Sequence, residues 1–269
     1  MTPDDLRAFE DFLRVKYPKL KIAYKDQSTV QRMLGYLLYP FNAAFMTRYV
    51  STFAPVVYFP TKDFYESNPK GSLTLLAHEY VHLLDTDKQP FWFRFSYLFP
   101  QGLAPIALAA YVGLARTHSW PLAVLLGGVA LSVLIARVSM AAFFVSALLV
   151  LAGSGFLAIH FSGWAAVALG VGLLLLAPWP SAGRTHWERR GYAMSLGIYQ
   201  WTYGSVPQLL RDSVARMFIG PAYYFMSWRK KATDDFVNTT LARAASGDLA
   251  KEEPYGLVYE FLRSRDLVK

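Results

Sequence analysis

Residues 91–180 contain no Asp, Glu or Lys, and their only charges are Arg94, Arg116 and Arg137. A stretch so long and so apolar exceeds what one buried core helix can use, and it constrains the fold more than any other part of the chain. It breaks into apolar runs at 99–115, 120–136, 138–159 and 163–179, separated by Arg116-Thr-His118-Ser, by Arg137 and by His160-Phe-Ser-Gly. Each run is near the length that crosses ~30 Å of hydrocarbon, the first two being short. The expectation is a transmembrane α-helical insert, 91–180, of four spans. Two spans plus interfacial or re-entrant helices is the alternative, because the turn at Arg137 is tight.

The flanking segments, 1–90 and 181–269, carry charge at ordinary globular density. The net charge of +8 comes from 27 basic and 19 acidic residues. With no nucleic-acid-binding motif and no unbroken basic tract, that excess suits a lipid bilayer with anionic headgroups and argues against nucleic acid. Cysteine is absent, which excludes a disulfide framework, a thiolate metal site and a catalytic thiol. The acidic start, Met1-Thr-Pro-Asp-Asp5, is unlike a secretory signal.

Local signals organise the first flank. Thr2 caps a helix that starts at Pro3, runs to about Lys16 and buries Leu6, Phe9 and Leu13. An alternating strand follows at 20–24, and then a helix from Ser28 to about Leu38. Residues 41–60 read as a β-hairpin turning at Ser51-Thr52, with Pro55 placing the second strand, 53–59, at an edge or beside a bulge.

The chemistry is concentrated in His78-Glu79-Tyr80-Val81-His82. Residues four apart lie one above the other on a helix, so both imidazoles project from one face. Leu73, Leu76, Ala77, Tyr80 and Leu84 form an apolar stripe, while Leu75, His78, His82 and Asp85 share another. Ser72 is the expected N-cap, after the turn 68–71. Two neutral imidazoles in this arrangement can share one tetrahedral Zn2+, and the Glu beside the first can activate a water there.

This pattern resembles the zincin metallopeptidases. The layout, with an apolar insert after the motif, is similar to integral-membrane prenyl-protein proteases and their heat-shock protease relatives. The resemblance covers the motif, the following apolar runs and Glu188. It does not extend to spans before the motif or to an acidic residue soon after Glu188, where Gly191-Tyr192 stands instead.

The resemblance implies an α+β zincin-like domain interrupted by the insert. The gluzincin branch takes its third ligand from a Glu on a later helix, which makes Glu188 the candidate beside His78 and His82, with Glu79 as general base. An alternative stays open: Thr185-His-Trp-Glu188 also reads as a capping box in which Glu188 caps its own helix. Asp85 is a candidate for orienting an imidazole, and His186, Tyr192 and Tyr199 for stabilising an oxyanion.

Zincin-like proteases hold an extended substrate along an edge strand, so the resemblance implies a protein or peptide substrate along Ala54, Val56, Val57 and Tyr58; an edge strand that binds nothing is the alternative. The activity implied is peptide hydrolysis by a membrane-embedded zinc protease. The rival is a non-enzymatic membrane scaffold with a fortuitous motif. Basic residues near the insert (Lys88, Arg94, Arg184, Arg189, Arg190) put the catalytic flanks on the cytoplasmic face. The aromatics at 91–97 and the pieces at 206–228 read as lying at the membrane surface, core packing being the alternative for the latter. Residues 234–269 read as a solvated helical tail.

Overall fold

Thr2 begins the first helix, α1 (Pro3–Lys16), by a reciprocal exchange: its hydroxyl accepts from the Asp5 N–H, and its own N–H donates to the Asp5 carboxylate. The computed structural model describes residues 1–39, 42–99, 180–220 and 225–269, together with 128, 132, 145–150, 152–153 and 171. Further elements are β1 (Lys21–Tyr24), α2 (Thr29–Leu38), β2 (Ser51–Phe53), β3 (Val56–Phe59), α3 (Lys62–Ser67), α4 (Pro69–Lys88) and α5 (Pro90–Leu98). After the insert come α6 (Ala182–Tyr203), α7 (Gln208–Ile219), α8 (Lys230–Ala245) and α9 (Tyr255–Ser264).

The chain divides into two units, one of Met1–Arg94 with Ala182–Lys269 and one of Phe95–Ser181. In the first, α4 and α6 form the most extensive helix pairing. Around them gather Phe9 and Leu13 of α1, Val57 and Phe59 of β3, and Val258, Phe261 and Leu262 of α9. Removing a side chain such as Phe9 from water contributes about 1.5–3 kcal/mol. In the second unit, the Ser181 hydroxyl donates to the Phe99 carbonyl (2.9 Å), and helical residues 145–150 bury Ala147 and expose Val145, Leu148 and Leu149.

The fold class differs from the expectation. The described chain is mostly helical with one small three-stranded sheet, and among the described residues no helix is long and apolar enough to cross a membrane. The reason is visible in the helices themselves. α5 has nine residues, which span only ~14 Å, and α4 and α6, though long enough, bury Glu79, Asp85, Arg184 and Glu188. An integral-membrane position with a cytoplasmic catalytic face is therefore not supported. The four apolar runs behind that expectation lie almost wholly outside the described residues.

The hairpin is also corrected. Ser51 and Thr52 are not its turn but part of β2, and the chain reverses at Ala54–Pro55, whose peptide bond is cis. Strand order is β1-β3-β2, with β3 parallel to β1 and antiparallel to β2. β3 is therefore central, not an edge. The expected solvated tail is core: Val237, Leu241, Val258 and Phe261 are buried, and Arg265 pairs with Asp5 at 2.9 Å. α7 likewise packs Val214 and Phe218 against Leu196 and Leu241.

Candidate metal centre

α4 starts earlier than expected. Its cap is Asn68, whose side chain accepts from the Gly71 N–H (3.0 Å), with Pro69 at the first helical position. Ser72 lies inside the helix. The helical period then stacks His78 over His82, their Nε2 atoms 3.1 Å apart and their rings edge to face. From α6, Glu188 Oε2 comes within 3.4 Å of His78 Nε2 and 4.0 Å of His82 Nε2.

All three residues are buried, and one ligand atom from each lies within 4.8 Å of the others. Neighbouring ligands around one tetrahedral zinc are roughly 3.3 Å apart, so the observed spacings bracket what an ion needs. The chemistry of the set agrees. Three lone-pair donors this close repel unless a positive charge sits among them, so this buried group could hold a metal ion.

Helix α6 takes the capping role away from Glu188. It begins at Ala182, so Thr185 is already helical and no N-cap, and its hydroxyl donates to the Met226 carbonyl (2.7 Å). The capping-box arrangement is absent. From Glu188 the positions i+3, i+4 and i+7 (Gly191, Tyr192 and Ser195) continue the same face along His78. A Cβ on Gly191 would meet the His78 ring, so only glycine lets α6 come this close. The Tyr192 ring stands edge-on to His78 at 4.9 Å. The Ser195 hydroxyl reaches the Gly191 carbonyl (3.5 Å) and lies 3.3 Å from His78 Nδ1. A proton on Nδ1, donated to Ser195, would leave the Nε2 lone pair for a metal ion beside Glu188.

Glu79 turns toward the sheet, where the Thr52 hydroxyl of β2 donates to its Oε2 (2.7 Å). Burial pushes the Glu79 carboxyl up, against the opposing influence of His78 and Thr52. Burial also drives His82 down to about 4, Glu188 opposing and His78 and Arg190 adding to the fall. For His78, burial works against the charged ring but is outweighed by Glu188 and Glu79, and its pKa is raised.

The remaining candidates sort clearly. Asp85 does not orient an imidazole: Arg190 Nε grips both its oxygens at 3.0 and 2.9 Å. His186 is exposed, two positions and so about 200° round from Glu188, and its ring packs on Trp187. Tyr199 lies farther along α6, where it and Tyr203 hold the Lys70 ammonium at 4.6 and 3.9 Å. Val56, Val57 and Tyr58 sit in the central strand with backbone groups committed on both sides, and Ala54 is in the turn, so the substrate edge predicted there is not available.

Sequence reasoning missed Thr52, Arg190, Gly191, Ser195 and Phe93, whose ring packs at 5.8 Å from His82 and 5.2 Å from Trp187 rather than in a surface belt. The i, i+3, i+7 spacing of Glu188, Gly191 and Ser195 was the available signal. No protein-family model matches the chain, and comparison with curated proteins and with solved structures finds no match.

Proposed function

We propose that this chain is a zinc-dependent metallopeptidase of the zincin type, in which His78, His82 and Glu188 hold the ion and Glu79 is the general base. The observation that carries this reading is the convergence of His78, His82 and Glu188 from two packed helices beside a separately held Glu79. Bound zinc supplies Lewis acidity to a water and to a scissile carbonyl. Glu79 takes the proton of the attacking water and delivers it to the leaving amine. Thr52 aims that carboxylate, and Ser195 keeps the His78 proton on Nδ1. β2 is the outer strand next to Glu79, and its outer edge suits an extended peptide paired by backbone hydrogen bonds.

The experiment is metal analysis of the purified chain beside H82A, E188A and E79Q, with peptide hydrolysis measured on each. One zinc per chain, lost from H82A and E188A, with E79Q loaded but inactive, is the expected result. Wild type that takes up no zinc even when supplied with it sinks the reading and favours the rival, a non-enzymatic interaction protein.

A further inference from the structure

Helix α2 leaves half of its surface apolar and uncovered. The face it turns inward carries half-buried Leu34 and Leu38, Gln31, 1% exposed, and Gly35, whose Cα lies so close to Met46 that an added Cβ would sit 2.6 Å from the Met46 side chain. The outward half carries Val30 (71% exposed), Met33 (67%), Tyr36 (82%) and Tyr39 (63%). A helix on a water-facing surface carries polar side chains on its outward half. Three large apolar side chains on the ten residues of α2, with Tyr39 just past its end, form a face that another apolar phase would cover.

The charges say which phase. Between Asp26 and Lys62 the chain has no acidic residue, and its only charges are Arg32 and Arg48, both exposed. At 100° per residue, Arg32 falls between Tyr39 and Tyr36 on the same outward half. Neither arginine pairs with a carboxylate among the described residues. A second copy docked face to face would set these cations against each other with nothing to answer them. Headgroups of an anionic lipid surface answer them directly, with the tyrosines at headgroup depth and the aliphatic chains below. The ten residues of α2 rise only ~15 Å, too little to cross a bilayer, so the helix lies along the surface.

We propose that α2 seats this protein on an anionic lipid surface, with Val30, Met33, Tyr36 and Tyr39 in the interface and Arg32 and Arg48 at the headgroups. The site is independent of the hydrolase reading.

The absence of cysteine permits a local test, because one introduced thiol takes a label at one place only. Met33→Cys, and separately Val15→Cys on exposed α1, is labelled with an environment-sensitive nitrobenzoxadiazole dye and mixed with vesicles. One vesicle set is phosphatidylcholine alone and the other contains roughly a third phosphatidylserine.

The expected result is a several-fold emission rise with a blue shift for the label at 33 on phosphatidylserine vesicles only. Adding Arg32→Ala and Arg48→Ala should weaken this severalfold, while the label at 15 stays unchanged. A label at 33 that remains in water with both vesicles overturns the proposal. So does an equal response at 15, which means non-specific sticking. A rise at 33 that needs protein concentration and no vesicle also overturns it and makes the face a contact between copies.

Discussion

Gly191 lies flat against the imidazole of His78: a Cβ there would stand 2.7 Å from both Cδ2 and Cε1 of the ring, and closer still to Nε2. The atom that faces Glu188 is thus the one that a single methyl at Gly191 would displace. In a helix interior, Gly→Ala otherwise stabilises by about 1 kcal/mol. Gly191→Ala is expected to cut metal affinity at least tenfold and to lower stability, the clash winning over propensity. In a His78→Ala background the same change should be neutral or stabilising, a cycle readable by urea titration and metal analysis. Wild-type affinity in Gly191→Ala would show that the ring can move away freely.

Thr52→Val removes the hydroxyl that donates to the Glu79 carboxylate and keeps the side-chain shape. A hydrogen bond to a charged group is worth about 1.5–3 kcal/mol, so peptide hydrolysis should fall roughly ten- to hundredfold. Zinc content should be unchanged, because Thr52 does not touch the ligands. Loss of metal along with rate would count against a role confined to the base.

Asp85 is 3% exposed and gripped by Arg190. Arg190→Met leaves that carboxylate buried and alone, and should cost about 3–5 kcal/mol. The double variant Asp85→Leu/Arg190→Met should recover most of the loss. Equal destabilisation of the single and double variants, measured as urea midpoints, would mean that the pair is not coupled.

Lys25 is fully buried, its ammonium donating to the Phe45 carbonyl (2.8 Å) and lying 3.6 Å from the Phe45 ring centre. Burial lowers its pKa from 10.5 to about 7, only partly offset by the charge of Glu79. Between those values the unfolded chain holds the proton and the folded chain does not, so this group makes stability rise with pH across that window. The slope is about 1.4 kcal/mol per pH unit. Lys25→Met should therefore gain most over wild type at pH 6, with the gap narrowing steadily toward pH 10. A gap that does not change with pH would contradict the burial assignment.

Much of the first flank was legible because its signals act over a few residues. Thr2 and Ser28 cap the helices expected of them, and β1 forms within one residue of the predicted strand. The hairpin turn was misplaced because Ser51 and Thr52 suit a turn while β-branched Thr52 and aromatic Phe53 also suit a strand, and pairing with β3 settles which. Residues 234–269 looked solvated because their charges are evenly spread, yet Phe261 packs on Phe9 at 4.9 Å from the opposite end of the chain. The reading of 91–180 as membrane spans rested on apolar run lengths, missing charge and flanking aromatics, which report composition and not what surrounds a segment.

The sequence by itself determined the pairing of His78 with His82 and the place of Glu79 between them. An α-helix repeats every 3.6 residues whatever it packs against. Only the tertiary structure decided between cap and candidate ligand for Glu188, between imidazole and Arg190 for Asp85, and which strand lies beside Glu79. Each of those choices joins segments far apart in the chain. They depend on how closely α6 can approach α4, and that distance is set by a glycine whose consequence appears only when the two helices meet.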